Sequence, residues 1–298
     1  MKSLNTYINE GLADWGDDES FDKKMDEQTS EEAIKREIIK WITSNGYYYI
    51  ITRQLEFDFN TDPITVNYDG SIKVVDNYIT SLTNGIFQWG EVGKDFRCAW
   101  CNSLISLDGA PKEVGGEFSC SFCPSLKTLE GAPKEVGRDF SCEGCVSLKT
   151  LEGAPKEVGR DFICGSCLSL KTLEGAPKEV GGKFSCGNCD SLKNLKGAPE
   201  KVKGVFNCSY CDSLTSLEGA PKEVRREFLC NNCINLISLK GAPEKVKKYF
   251  NCSHCISLKT LEGAPKKVMG SFECVDCGVK FTEEDVRKVS NVKEKIYC

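Results

Sequence analysis

The hydrophobic positions of this chain recur with a step of 22 residues, longer than any helix or strand period. Phe stands at positions 96, 118, 140, 162, 184, 206, 228, 250 and 272. A Val precedes each Phe by four residues, from Val92 to Val268. A Cys follows each Phe by two residues, another Cys by five, and eight of the units close on Gly-Ala-Pro. With Leu eight residues after the Phe, one unit reads V-x-x-x-F-x-C-x-x-C-x-x-L-x-x-L-x-G-A-P-K-E. The F-x-C stretch alternates like a short strand with Phe and Cys on one face, and the Gly-Pro punctuation ends the return path. One unit offers about six apolar side chains, each worth ~1.5–3 kcal/mol when buried, but has no second layer to bury them against. Stacked neighbours supply that layer, so the pattern predicts a right-handed solenoid of about ten coils, each carrying a short parallel strand.

The frame extends in weaker form beyond the nine regular units. In "SIKVVDNYITSL", Ile72, Val74 and Asn77 occupy the Phe, first Cys and second Cys positions, and at the other end Val292, Ile296 and Cys298 repeat V-x-x-x-F-x-C. A solenoid needs caps. Thr29 and Glu32 form a capping box before "EEAIKREIIKWITSNG", where Ile34, Ile38, Trp41 and Ile42 share a helical face and Gly46 is the stop. Strand-like "YYYIITRQLEFDF" follows, and Asp69-Gly70 between apolar runs is a hairpin signal. Thr282 begins T-x-x-D, an N-cap for a short helix through Val289. The resulting division is an acidic flexible leader (1–28), an α+β cap that includes the opening coil (29–90), the repeat solenoid (91–277) and a helix-strand cap (278–298). In the leader, Leu4, Tyr7, Ile8, Leu12 and Trp15 fall at roughly helical spacing, which leaves two readings: a loosely packed leader, or a docking peptide that becomes helical on a partner.

The repeat resembles the leucine-rich repeat family, in its short bacterial form, over residues 72–298. "LEGAPKEVGRDFSCEGC" carries the likeness, with Val, Phe and Cys at the first three apolar positions and the second Cys at the usual Asn position. The chain departs from the family in using Phe throughout and in an extra residue before the following Leu. The resemblance implies a parallel β-sheet on the concave face of a curved solenoid and a protein-binding role. A GAPKEV-type array with an acidic leader also resembles uncharacterised bacteriophage repeat proteins, which implies the cytoplasm of a bacterial host or a virion.

Chemistry modifies this picture at the cysteines. Of the 298 residues 19 are Cys, and C-x2-C-x18-C-x2-C spacing is that of a four-thiolate zinc site. The start of the chain has neither a secretory signal nor a spanning helix, so the expected compartment is a reducing cytoplasm, where thiols or metal ligands are favoured over disulfides. The spacing belongs to the repeat, however, because Val, Phe, Leu and Pro keep the same step without binding anything. We therefore expect two internal thiol ladders, with zinc, an iron-sulfur cluster or disulfides as the alternatives, and no cofactor.

Catalysis finds little support. The cysteines come ninefold on strands rather than once at a helix start, His254 is the sole histidine, and no G-x-G-x-x-G frame is present. Ten acidic residues against three lysines in residues 1–32 account for more than the whole net charge of −5. The nearly neutral remainder argues against a nucleic-acid partner. The expected function is a nonenzymatic protein-protein interaction module, with a structural or virion-associated scaffold attached through its leader as the alternative. The variable outward positions are the residue before the first Cys and the two between the cysteines. Among these Arg97, Trp100, Phe122, Tyr210 and His254 are the candidate partner-binding residues, because aromatic and Arg anchors carry most interface energy.

Overall fold

The computed structural model describes residues 21–298. A helix, α1 (Phe21–Ser44), leads into β1 (Tyr47–Tyr48), a 3-10 turn at Thr52–Gln54, β2 (Glu56–Asp58), β3 (Ile64–Tyr68), β4 (Ile72–Val74), β5 (Phe87–Val92) and β6 (Phe96–Arg97). Eight further coils give two strands apiece, from β7 (Glu113–Val114) and β8 (Phe118–Ser119) to β21 (Lys267–Val268) and β22 (Phe272–Glu273). A second helix, α2 (Glu283–Val289), β23 (Asn291–Val292) and β24 (Ile296–Tyr297) close the chain. The solenoid is thus present, with the α+β and helix-strand caps at its two ends.

Each coil carries two strands rather than the one expected. Val and Phe, four residues apart, each start a ladder of their own, so the coils stack as two parallel sheets of twelve strands. The Phe sheet runs β1-β4-β6 and onward through the even-numbered strands to β24. The Val sheet runs β2-β3-β5 and onward through the odd-numbered strands to β23. Identical residues face each other across coils, as in Phe140↔Phe162 and Val158↔Val180. β1 and β2 pair antiparallel with β4 and β3.

The repeat's apolar residues fill the space between the sheets. Val, Phe, both Cys and both Leu of every regular coil are buried, with the last coil's Cys277 half-exposed and no Leu following it. The nine Phe rings form one continuous ladder with centroids 4.9–5.6 Å apart, close to the strand spacing and mostly near-parallel. The glycine of each Gly-Ala-Pro is left-handed (Gly109 φ 84°, Gly263 φ 83°), and a Cβ on Gly131 would collide with the backbone of Leu107 in the preceding coil. That requirement explains why the residue recurs without exception.

Three local expectations are corrected. α1 runs unbroken through Thr29, so the capping box does not start the helix; no Gly or Pro lies between 21 and 44 to stop it from beginning earlier. Asp69-Gly70 is a coil corner, not a hairpin, because β3 and β4 belong to different sheets and pair in parallel with β5 and β6. The hairpin lies one element earlier, between β2 and β3. Asn77 is exposed rather than inward, and its side-chain oxygen accepts from Asn102 Nδ2 at 3.3 Å. Gly46 (φ 69°) ends α1 as expected, and Ile38 and Ile42 are fully buried with the Trp41 ring against Phe87 at 5.6 Å. The docking-peptide positions Leu4, Tyr7, Ile8, Leu12 and Trp15 lie outside the described residues.

Candidate binding surface

Beyond each Phe strand the backbone makes the same move. The second residue between the cysteines is left-handed in every regular coil, with φ 64° at Trp100, 57° at Phe122, 70° at Gly144, 59° at Tyr210, 57° at His254 and 52° at Asp276. Its amide donates to the carbonyl of the preceding residue position one coil on, as in Trp100 N to Ser121 O (2.9 Å) and Tyr210 N to Asn231 O (3.0 Å). This turn sorts the three variable positions. The two earlier ones lie back against the sheet and hydrogen-bond along it: the Oγ atoms of Ser121 and Ser141 are 2.7 Å apart, and Ser209 Oγ donates to Asn231 Oδ1 at 2.6 Å. Only the left-handed residue projects.

The five candidate residues therefore separate. Trp100 (63% exposed) and Phe122 (37% exposed) stand on adjacent coils with stacked rings, centroids 4.4 Å apart and planes 15° apart. Phe122 lies over Gly144, where an added Cβ would collide with its ring. The absence of a side chain at Gly144 thus makes room for the stack. Tyr210 (54% exposed) stands four coils beyond Phe122, roughly 19 Å at one strand spacing per coil. His254 is two coils further, with Nδ1 3.5 Å from Asp276 Oδ2. Arg97, on the same coil as Trp100, lies back against the sheet, its guanidinium held by Glu117 (2.7 Å) and Asp95 (3.0 Å), and these bonds push its pKa up. Its charge is satisfied within the chain. Sequence reasoning missed Val75 and Tyr78, two exposed apolar side chains on the opening coil, one coil before Trp100. The signal was present in "VVDNY", one coil before "CAWCN".

The thiols are committed to the backbone. Each second-position Cys donates to the carbonyl of the first Cys in the coil before, from Cys123 Sγ to Cys98 O (3.2 Å) through Cys277 Sγ to Cys252 O (3.3 Å). First-position thiols point the other way, as in Cys164 Sγ to Ser185 O (3.3 Å) and Cys230 Sγ to Asn251 O (3.3 Å). Burial pushes the thiols of Cys98, Cys164, Cys186 and Cys208 well up, away from the thiolate a metal would need. Among the described residues no group of three or more His, Cys, Asp or Glu is arranged to hold a metal ion.

A second surface lies on the Val sheet. Glu91, Glu113, Glu135, Glu157 and Glu179 stand in register along a groove of about 630 Å³, which is floored by Gly115, Gly137, Gly159 and Gly181 and edged by Lys156, Lys178 and Lys203. In later coils Lys203, Arg225 and Lys247 occupy the glycine position. Lys203 Nζ reaches Glu179 at 2.6 Å and Lys247 Nζ reaches Glu223 at 3.2 Å. Lys203 thus closes one end of the groove, which otherwise follows the row where glycine leaves it uncovered. No helix among the described residues is long and apolar enough to cross a membrane. Comparison of the chain with family profiles, with curated proteins and with solved structures finds no match.

Proposed function

We propose that this protein is a nonenzymatic binding module that presents the Trp100-Phe122 stack to a protein partner. The observation that carries the reading is the backbone conformation beneath the two rings. A left-handed position costs an ordinary L-residue about 1–2 kcal/mol, and bulky residues there are outliers. The array itself uses the tolerant types, Gly144, Asn188, Asn232 and Asp276, at other copies of the position. Core packing does not require the aromatic exceptions, because both rings lie at the surface and pack on each other. Strained and exposed side chains that the fold does not require are characteristic of functional sites, and stacked aromatics carry interface energy. The 22-residue step and the parallel strands support the likeness to leucine-rich repeats that prompted a protein partner.

The test is capture of binding proteins from the native host on the immobilised full chain, followed by titration of the captured partner against variants. Replacing Trp100 and Phe122 together with Asn should weaken binding by about 2 kcal/mol or more without unfolding the chain. Undiminished affinity in that variant would refute the reading. Binding lost on removal of residues 1–20, which leaves α1 whole, would instead favour a scaffold attached through its leader.

A further inference from the structure

At the C-terminal end of the first-position ladder, donation to a backbone carbonyl gives way to a contact between two thiols. First-position cysteines donate forward to the next coil, as Cys252 Sγ does to Glu273 O (3.5 Å). Cys274 is the last of that row within the regular repeats. Its Sγ lies 3.4 Å from Cys298 Sγ, and Cys298 is the one exposed cysteine of the 19. Register explains the approach. β22 and β24 pair in parallel with Glu273 opposite Tyr297, so Cys274 and Cys298 are the next residues along. Adjacent strands lie ~4.8 Å apart, within the Cα separation of about 4.4–6.8 Å that a disulfide spans. Interior cysteines share this spacing but are sealed from solvent, and most of their thiols donate to backbone carbonyls.

We propose that Cys274 and Cys298 are a redox-responsive pair whose disulfide locks the C-terminal cap onto the solenoid. Cys298 reacts first because solvent reaches it. With a glutathione-type disulfide as oxidant, its thiolate attacks one sulfur, forms a mixed disulfide and expels one glutathione thiolate. Cys274, its proton passing to solvent, then attacks the Cys298 sulfur and expels the second glutathione. Two protein thiols are oxidised, one small disulfide is reduced to two thiols, and two protons and two electrons are accounted for. Burial raises the Cys274 thiol, which leaves the first attack to the exposed Cys298. Its position 3.4 Å from the Cys298 sulfur makes Cys274 the resolving partner once the mixed disulfide has formed. The resulting loop encloses α2 and β23 and fixes β24 to β22, which it covers. Reduction frees that edge to fray, and an unpaired strand edge is a surface that other strands can add to.

The experiment equilibrates the full chain in reduced and oxidised glutathione at graded ratios, traps it with acid and an alkylating agent, and maps the peptides. The expected result is a linked pair between residues 268–280 and 296–298, lighter by two hydrogens and reversed by a dithiol. Fragmentation should place the bond at Cys274 rather than Cys277. Proteolysis within 283–295 should slow by about tenfold or more on oxidation, and Cys298→Ser, an exposed change that leaves the core intact, should abolish both effects. A stable glutathione adduct on Cys298 without resolution, a link through Cys277, or cap protection unchanged by oxidation would each overturn the proposal.

Discussion

At the left-handed row the chain records the same backbone problem nine times with different side chains. Gly, Asn and Asp relieve it and His254 tolerates it, whereas Trp, Phe, Tyr and Ser166 leave the cost in place. Tyr210 isolates that cost, since it is exposed, stacks on no other ring and has Asn188 and Asn232 at the same position in the coils on either side. Tyr210→Asn should therefore stabilise the fold by up to about 1 kcal/mol. Urea unfolding checks it, and a loss of stability would show that the ring packs more than its exposure implies. Trp100 does not isolate the cost in the same way, because its removal also ends the stack with Phe122, itself worth about 0.5–1.5 kcal/mol. The row was partly legible in the sequence. Gly144, Asn188, Asn232 and Asp276 in one column are the residue types that favour positive φ, but Trp100, Phe122, Tyr210 and His254 in the same column mask them. Without the turn, all three variable positions looked equally exposed.

Between coils, a period of 22 converts each residue choice into a ladder, and ladders of one charge are unfavourable. Glu113, Glu135 and Glu157 face one another on successive parallel strands, and like charges directly opposite destabilise a sheet. Lys201 shows the remedy further along the same row, with Nζ 3.7 Å from Glu179. Glu135→Lys should stabilise the sheet by about 0.5 kcal/mol, with the gain shrinking as salt is added. An unchanged thermal midpoint at low salt would show that neighbouring lysines already neutralise the row. The cysteine ladders make a different prediction. Their thiols donate to carbonyls of adjacent coils, so a chelator should leave the melting profile unaltered, and elemental analysis should give far less than one zinc per two coils; stoichiometric zinc with unfolding on chelation would contradict it. The period, the Phe ladder and the buried cysteines could all be read from spacing alone. The Val sheet could not, because in the coils from β7 onward Val is the one apolar residue of its two-residue strand, with no second apolar position two residues on to show alternation as Phe and Cys do.

For the molecule as a whole, stacking concentrates ionisable groups in its dry interior, and the fully enclosed thiols make stability fall at alkaline pH. Cys98, Cys164, Cys186, Cys208, Cys230 and Cys252 are fully enclosed, and their thiols are raised first by burial and then by neighbouring cysteines, except at Cys252, where a thiol hydrogen bond comes second. A raised thiol keeps its proton longer in the folded chain than in the unfolded one, where the pKa is about 8.5. Below that value both states are protonated and the full stabilisation is present. As pH rises above it, the unfolded thiols ionise while the folded ones do not, so unfolding is favoured. Each such thiol contributes a loss of up to about 1.4 kcal/mol per pH unit, and six together approach roughly 8 kcal/mol per unit when the array opens as one body. The unfolding midpoint should therefore be level from pH 6 to about pH 8 and fall steeply by about pH 10. Because each coil contacts only its neighbours, the fall should begin at the C-terminal cap, where the raised thiol of Cys274 lies beside the exposed Cys298, and spread inward. Hydrogen exchange resolved along the chain would follow that order. A midpoint that stays level to pH 10 would mean that the ladders admit water, and the enclosed thiol interior described here would be wrong.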